Sequence, residues 1–172
     1  IQIAGNSPSS LALAAKKAAR FGFSEINLNC GCPSKNVMAG DFGPSLLLNP
    51  KLVKTCVNSI KDVVDCEVSV KTRIGINYDN DQTLLNTFVE TVNLSGIKKY
   101  ILHARNGIIG NLSTKKNLTI PELRYEVVFN LKKNFSKNFF IINGGFLDTN
   151  NFNKYYKKID GIMIGREAYK NP

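Results

Sequence analysis

The sequence predicts a parallel α/β architecture, six strand-and-helix units belonging to a (β/α)₈ barrel, and two observations carry that reading. Short apolar runs bounded by polar or glycine-rich turns alternate with helical patterns along the chain, which is the pattern of repeated β-loop-α units. The apolar runs also end, one after another, in residues able to do chemistry: INLNCGCP, VSVKTR, YILHAR, IINGG and IMIGR. In a (β/α)₈ barrel the carboxyl ends of the strands converge on one face, where the active site lies. The open doubly wound sheet also binds ligands at its strand ends, but it would be expected to show a GxGxxG turn, and this chain has none.

The elements follow in order. Strands are expected at 1–4, 25–29, 67–71, 100–103, 139–142 and 161–164. Ser7 followed by Pro8 opens the helix LALAAKKAARFG, with Gly22 as its stop, and Asn49 followed by Pro50 opens KLVKTCVNSIKDVV. Asp81 is placed to cap a helix over 82–94, with Gly96 beyond it, and Pro121 to open ELRYEVVFNLKKNF. A weaker helix, rich in Asn and Tyr, is read over 148–158. The stretch from Arg105 to Pro121 has little periodicity and reads as a long loop of the functional or disordered kind.

At 172 residues the chain fits one domain but is short for a complete barrel, which takes about 250 residues. Its 23 Lys+Arg against 13 Asp+Glu give +10, which favours a polyanionic partner such as nucleic acid; heavy use of Lys and Asn by an AT-rich genome explains the charge equally well. Cys30, Cys32, Cys56 and Cys66 lack the spacing of a disulfide framework, so a reducing compartment is expected, the cytoplasm, or an organelle if a targeting segment lies upstream. With one histidine and only two neighbouring cysteines, no metal site is expected. No apolar run approaches the roughly 20 residues of a spanning helix, so no membrane association is expected.

On the barrel reading, Lys71, His103, Asn143 and Arg166 meet although they are far apart in sequence. Any one of them alone reads as a polar residue closing a strand; five such strands in succession do not. Asn143-Gly144-Gly145 and Gly165-Arg166 follow the last two strands, where barrels hold a phosphate on backbone N–H groups, and an arginine adds a charged bidentate contact. Lys71, at the end of a buried strand, calls for a polar or anionic partner such as a ring system that becomes negative on reduction. His103 is either a second ring contact or a satisfied core histidine, and its place on the same rim favours the contact. Cys32 follows a strand in Asn29-Cys30-Gly31-Cys32-Pro33, where Gly31 permits a tight turn and Pro33 fixes its exit. A thiol there can act as a general acid or be inert, and position alone does not decide; Cys30, Cys56 and Cys66 are assigned to packing. Ser45 in GPSLL reads as loop-to-helix structure.

Taken together, QIAG from Gln2, EINLNCGCPS, VKTRIG, ILHAR, INGG and DGIMIGREAYKNP make the chain resemble the tRNA-dihydrouridine synthases, in the right order and over essentially its whole length. The loop LSTKKNLTIPELRYE is most similar to that of the bacterial A type, which modifies uridines 20 and 20a of the tRNA D-loop. The resemblance implies FMN as cofactor, with Gln2, Lys71 and His103 at the ring and ribityl region and Asn143, Gly144, Gly145, Gly165 and Arg166 at the phosphate. It implies NADPH as reductant, hydride transfer to C6 of uracil, and Cys32 as the proton donor to C5. Asn29 would line the site beside flavin and base, and Arg73, Arg105, Lys115 and Lys116 are candidates for contacts to tRNA, with solvated surface charge as the alternative for both lysines.

Against the family pattern, the chain starts at the third barrel strand, without the first strand and its APM-like motif, and stops after the eighth, before the helical domain that grips tRNA. The expectation for residues 1–172 is therefore a partial flavin-binding catalytic domain with poor stability, weak FMN binding and no useful turnover alone. Two other functions remain open at this point. One is an FMN barrel acting on a free pyrimidine, like a dihydroorotate or dihydropyrimidine dehydrogenase; the other is a tRNA-binding module without chemistry. Oligomeric state is not predicted.

Overall fold

A computed structural model describes residues 1–32, 42–79, 81–110, 112–113 and 115–171. Pro33 and Ser34, named above in the turn and the motif, lie outside the described residues, as does Pro172. Six strands, β1 (Gln2–Ile3), β2 (Glu25–Cys30), β3 (Glu67–Arg73), β4 (Lys99–His103), β5 (Phe139–Asn143) and β6 (Gly161–Met163), form one sheet. All neighbours are parallel, and the spatial order is the sequence order. That order separates the barrel type from the doubly wound sheet, whose strand order reverses partway across. The sheet is strongly curled: Gln2 on β1 and Met163 on β6 line the same two cavities.

Alternation along the strands assigns the two faces. Ile26, Leu28, Val70, Leu102, Phe140 and Ile142 point outward and are fully buried against the helices, with Leu11, Val53, Val57, Phe88 and Val128 opposite them in one core. Each such side chain contributes roughly 1.5–3 kcal/mol by leaving water. The intervening residues, Asn27, Asn29, Ser69, Lys71, Arg73, Ile101 and His103, face the interior in register across β2, β3 and β4. The inner wall is thus polar on β1 to β3, with Ile101, Ile141 and Met163 beyond it.

The helices are α1 (Pro8–Ala19), α2 (Pro50–Lys61), α3 (Thr83–Asn93), α4 (Tyr125–Asn134), α5 (Asn150–Tyr155) and α6 (Arg166–Lys170), with 3₁₀ turns at Gly43–Leu48 and Lys116–Leu118. Ser7 Oγ accepts from Ser10 N at 3.4 Å and Asn49 Oδ1 from Leu52 N at 3.2 Å, each beside a first-turn proline. Asp81 Oδ1 accepts from Thr83 N at 2.8 Å, and the chain leaves α3 through Gly96 at φ 80°. Ser45 lies in the first 3₁₀ turn.

Three of the boundaries that differ from expectation do so for identifiable reasons. β3 does not end at Lys71: Cys30 pairs with Thr72 and Arg73 with His103, so the ladder runs on to Arg73. Pro121 does not open α4: Arg105 Nη1 donates to its carbonyl and Arg124 N to Ala104 O at 2.8 Å, which ties 121–124 to the end of β4 and delays the helix to Tyr125. α5 is shorter than 148–158; Asp148 Oδ1 accepts from Asn150 N at 2.8 Å ahead of its start.

Among the described residues all four cysteines are free, no group of His, Cys, Asp and Glu is arranged to hold a metal, and no helix is long and apolar enough to cross a membrane.

Candidate active site

The end of β2 carries the thiol. Asn29 Oδ1 accepts from the backbone N–H groups of Gly31 and Cys32, both at 3.0 Å, folding the chain over at the strand exit. A Cβ on Gly31 would sit 3.0 Å from the Thr72 carbonyl carbon, so glycine is favoured here by close approach to the β3 backbone rather than by a left-handed turn. The turn leaves Cys32 half-buried on the cavity wall. Cys30 points the other way into the core, and burial pushes its thiol far up. Asn29 also lines the cavity, but its side-chain oxygen is committed to shaping the cysteine turn.

From β3 come two cations with different fates. Lys71 lines the cavity and makes no hydrogen bond or ion pair with the described residues. Burial, then the nearby Arg73, pull its ammonium down to about 8, and a Cys32 thiolate opposes that fall. Arg73 is 2% exposed and gives two of its nitrogens to carbonyl oxygens: Nε to Gly31 at 3.2 Å, and Nη1 to Asn106 at 3.2 Å and Asn117 at 3.1 Å. Arg73 also lines the cavity, so it clamps three loops while remaining on the wall where contact to tRNA was expected of it.

His103 closes β4 at 6% exposure and faces the same cavity. Burial lowers its pKa strongly, and Arg73, Lys71, Arg105 and Arg166 lower it further, so the imidazole is neutral, with one nitrogen donating and the other accepting. Arg105 turns away: Nη1 donates to Thr119 O at 3.3 Å and to Pro121 O, and its buried Nε has no partner. It lines neither of the two adjoining cavities, and neither do the exposed Lys115 and Lys116. What their loop brings into the site is Leu118.

The ends of β5 and β6 form a second hollow of about 290 Å³ lined by Asn143, Gly144, Gly145, Gly165 and Arg166. Asn143 Nδ2 donates to Met163 O at 2.8 Å, holding the two strand ends together. Gly144 has φ 118°, and a Cβ there would lie 2.8 Å from Leu123 Cδ2 and 2.9 Å from His103 Cδ2; Gly145 has φ 76° and would meet Leu123 Cδ1 at 2.8 Å. Tyr125 Oη donates to Gly144 O at 2.6 Å from behind. This hollow shares His103, Leu118, Asn143 and Met163 with the central cavity of about 450 Å³ that Gln2, Asn29, Cys32 and Lys71 line. The two form one groove of the size that binds small organic ligands.

Sequence reading missed Leu118 and Met163 in the lining and Asn106, Asn117, Leu123 and Tyr125 behind it. Met163 was findable, because counting by twos from Gly161 along β6 turns it inward. Asn117 carried no local signal.

A curled parallel sheet in sequence order, with a cationic groove, a neutral imidazole and a thiol at its carboxyl edge, defines a barrel-type α/β protein with the equipment of an enzyme. The chain belongs to the dihydrouridine synthase (Dus) family, whose sequence profile matches residues 1–172. It is 43% identical over all 172 residues to the tRNA-dihydrouridine(20/20a) synthase of Shewanella oneidensis, covering 51% of that protein. It is 42% identical to the protein of the same name from Synechocystis sp., covering 52% of it. The chain therefore spans about half the length of the curated relatives it matches. Among solved structures, morphinone reductase superimposes with a TM-score of 0.65 at 13% identity over 92% of this chain and 44% of that one, a likeness of fold.

Proposed function

We propose that this chain forms the cofactor groove and proton-donor site of a flavin-dependent enzyme that reduces uridine in tRNA to 5,6-dihydrouridine, at positions 20 and 20a as in the relatives named for them. The observation that carries the reading is convergence: Cys32, Lys71, His103 and Asn143, from four different strands and their exits, line one cavity in a chain that belongs to this family over its whole length.

The groove fits FMN by its chemistry. Lys71 offers an unpaired ammonium at the centre, suited to a ring that gains negative charge, and Gly144, Gly145, Gly165 and Arg166 offer close backbone and a guanidinium for a phosphate at the far end. The chemistry that FMN would supply when bound here is a hydride for C6 of the uracil ring, with NADPH as the reductant. The protein's own part is to place the base and deliver the proton. Cys32 Sγ, presented by the Asn29 turn, gives its proton to C5 as the C5=C6 double bond is lost, and the thiolate is reprotonated from solvent. The cation of Lys71 favours that thiolate while it lasts. His103, held neutral, serves as a hydrogen-bonding group rather than an acid. A base inside folded tRNA must leave its stack to reach the cavity.

Mass spectrometry of tRNA tests the assignment. Loss of dihydrouridine at 20 and 20a on deletion, restored by the unmodified gene and not by Cys32→Ala, is the expected result. Unchanged tRNA after deletion sinks the substrate assignment in favour of a free pyrimidine, and full restoration by Cys32→Ala removes the thiol from the chemistry.

A further inference from the structure

Below the groove, the inner wall of the sheet holds a continuous polar chain. Gln2 Nε2 donates to Asn27 Oδ1 at 2.7 Å, Asn27 Nδ2 donates to Ser69 Oγ at 2.7 Å, and Ser69 Oγ donates to the Glu25 carboxylate. Lys99 Nζ anchors the far end, 2.6 Å from Glu25 and 2.9 Å from Glu67. Ser69 is fully buried and Asn27 nearly so, and strand register places Gln2 beside Asn27 and Asn27 beside Ser69.

The direction of this chain is forced from its charged end. An ionised carboxylate only accepts, so Ser69 gives its single proton to Glu25 and can only accept from Asn27. Asn27 must then turn its NH₂ to Ser69 and its oxygen to Gln2, and Gln2 must turn its NH₂ to Asn27. Gln2 Oε1 is left facing away from the chain, and it accepts no hydrogen bond from the described residues, while its side chain lines the groove. Glu25 stays ionised because, against the rise that burial alone would cause, hydrogen bonds from Lys99 and Ser69 hold its carboxyl below the ordinary range. A side-chain amide has nearly the same shape in either orientation, so without a fixed end the sense could reverse.

We propose that Glu25, Ser69 and Asn27 are positioning residues that set the polarity of the Gln2 amide, so that the groove meets Gln2 as a hydrogen-bond acceptor and selects a ligand ring N–H there. This rests on the flavin reading above. The oxidised isoalloxazine ring has a single ring N–H, at N3, and that is the group the acceptor takes. Sequence alone places Gln2 at the site but says nothing of which end of its amide faces the ligand; the four-residue chain supplies that.

Titration with FMN and with its N3-methyl analogue, followed by flavin fluorescence, tests the proposal in the unmodified protein and in E25Q, S69A, S69T and R166A. The unmodified protein and S69T, which keeps the hydroxyl, are expected to prefer FMN by about tenfold, the scale of one well-placed hydrogen bond. In E25Q and S69A the preference falls below about threefold, because either amide orientation is then available. R166A weakens both flavins in parallel. Undiminished preference in natively folded E25Q and S69A overturns the proposal and leaves the flavin reading standing. Failure of the unmodified protein to bind either flavin overturns both.

Discussion

Lys71 carries the sharpest consequence at the scale of a single residue. Its ammonium titrates near 8 in the fold against an ordinary 10.5. Below about 8 both the folded and the unfolded chain hold the proton, and the cost of the desolvated cation is constant. Between about 8 and 10.5 the unfolded chain holds the proton and the folded one does not, so this residue makes stability rise with pH across that window. Binding of reduced flavin runs the other way, because its anionic ring needs the protonated form. Affinity for reduced FMN is therefore expected to fall as pH rises through 8, by up to about tenfold per unit, and Lys71→Met to bind it weakly with a flat profile. Anaerobic absorbance titration with reduced FMN across the range reads both, and a pH-independent affinity in the unmodified protein removes Lys71 from the site.

Gly144 makes an independent prediction about packing. Its φ of 118° and the two contacts under 3 Å that a Cβ would make, to Leu123 and His103, leave no room for alanine without moving β4's last residue. Gly144→Ala should cost about 1–3 kcal/mol in denaturant unfolding and also disturb His103. Gly165, where a Cβ would meet nothing nearer than 4.0 Å, should accept alanine at smaller cost to stability.

At the scale of elements, the segment after β4 is held by buried amide chemistry. Asn117, fully buried, accepts from Ile108 N at 2.8 Å and donates to Ile108 O at 3.1 Å and Leu112 O at 3.2 Å, while its own carbonyl receives Arg73. Asn117→Ala strands these groups in the interior and should cost about 2–4 kcal/mol, with limited proteolysis opening this loop first. Lys116→Ala, one residue away and exposed, should change stability by less than about 0.5 kcal/mol. Equal protease resistance in the two variants would refute the clamp. The same segment marks the boundary of what sequence can reveal. Strand alternation, the capped starts of α1 and α2, and the strand-end placement of Cys32, His103 and Asn143 were all legible, because each depends on neighbours a few residues away. The clamp made by Arg73 was not legible because its partners, Gly31, Asn106 and Asn117, come together only in the fold. Pro121 was misread as a helix start for the same reason, since Arg105 captures its carbonyl from the end of β4.

At the scale of the molecule, the distribution of charge divides the work between two sets of cations. Lys99 at the amino-terminal end of the sheet is neutralised by Glu25 and Glu67, and Lys132 by Asp160 at 2.9 Å. The cations lining the carboxyl-end groove, Lys71, Arg73, Arg166 and Lys170, have no ion-pair partner among the described residues, and neither do Lys115 and Lys116 on the exposed loop beside it. Cations without an ion-pair partner thus gather on the face where tRNA is proposed to dock, in a chain of net charge +10. If the groove cations hold the cofactor and the loop lysines meet phosphates, the two functions separate by substitution. Replacing both Lys115 and Lys116 by alanine should leave FMN affinity unchanged. It should also weaken tRNA binding and reduce the slope of log affinity against log salt by about 1–2, the release of one or two counterions. Filter binding of tRNA at graded salt, set beside flavin titration of the same variant, measures both. An unchanged slope would make these lysines solvated surface, and a parallel loss of FMN would place them in the groove, from which the geometry excludes them.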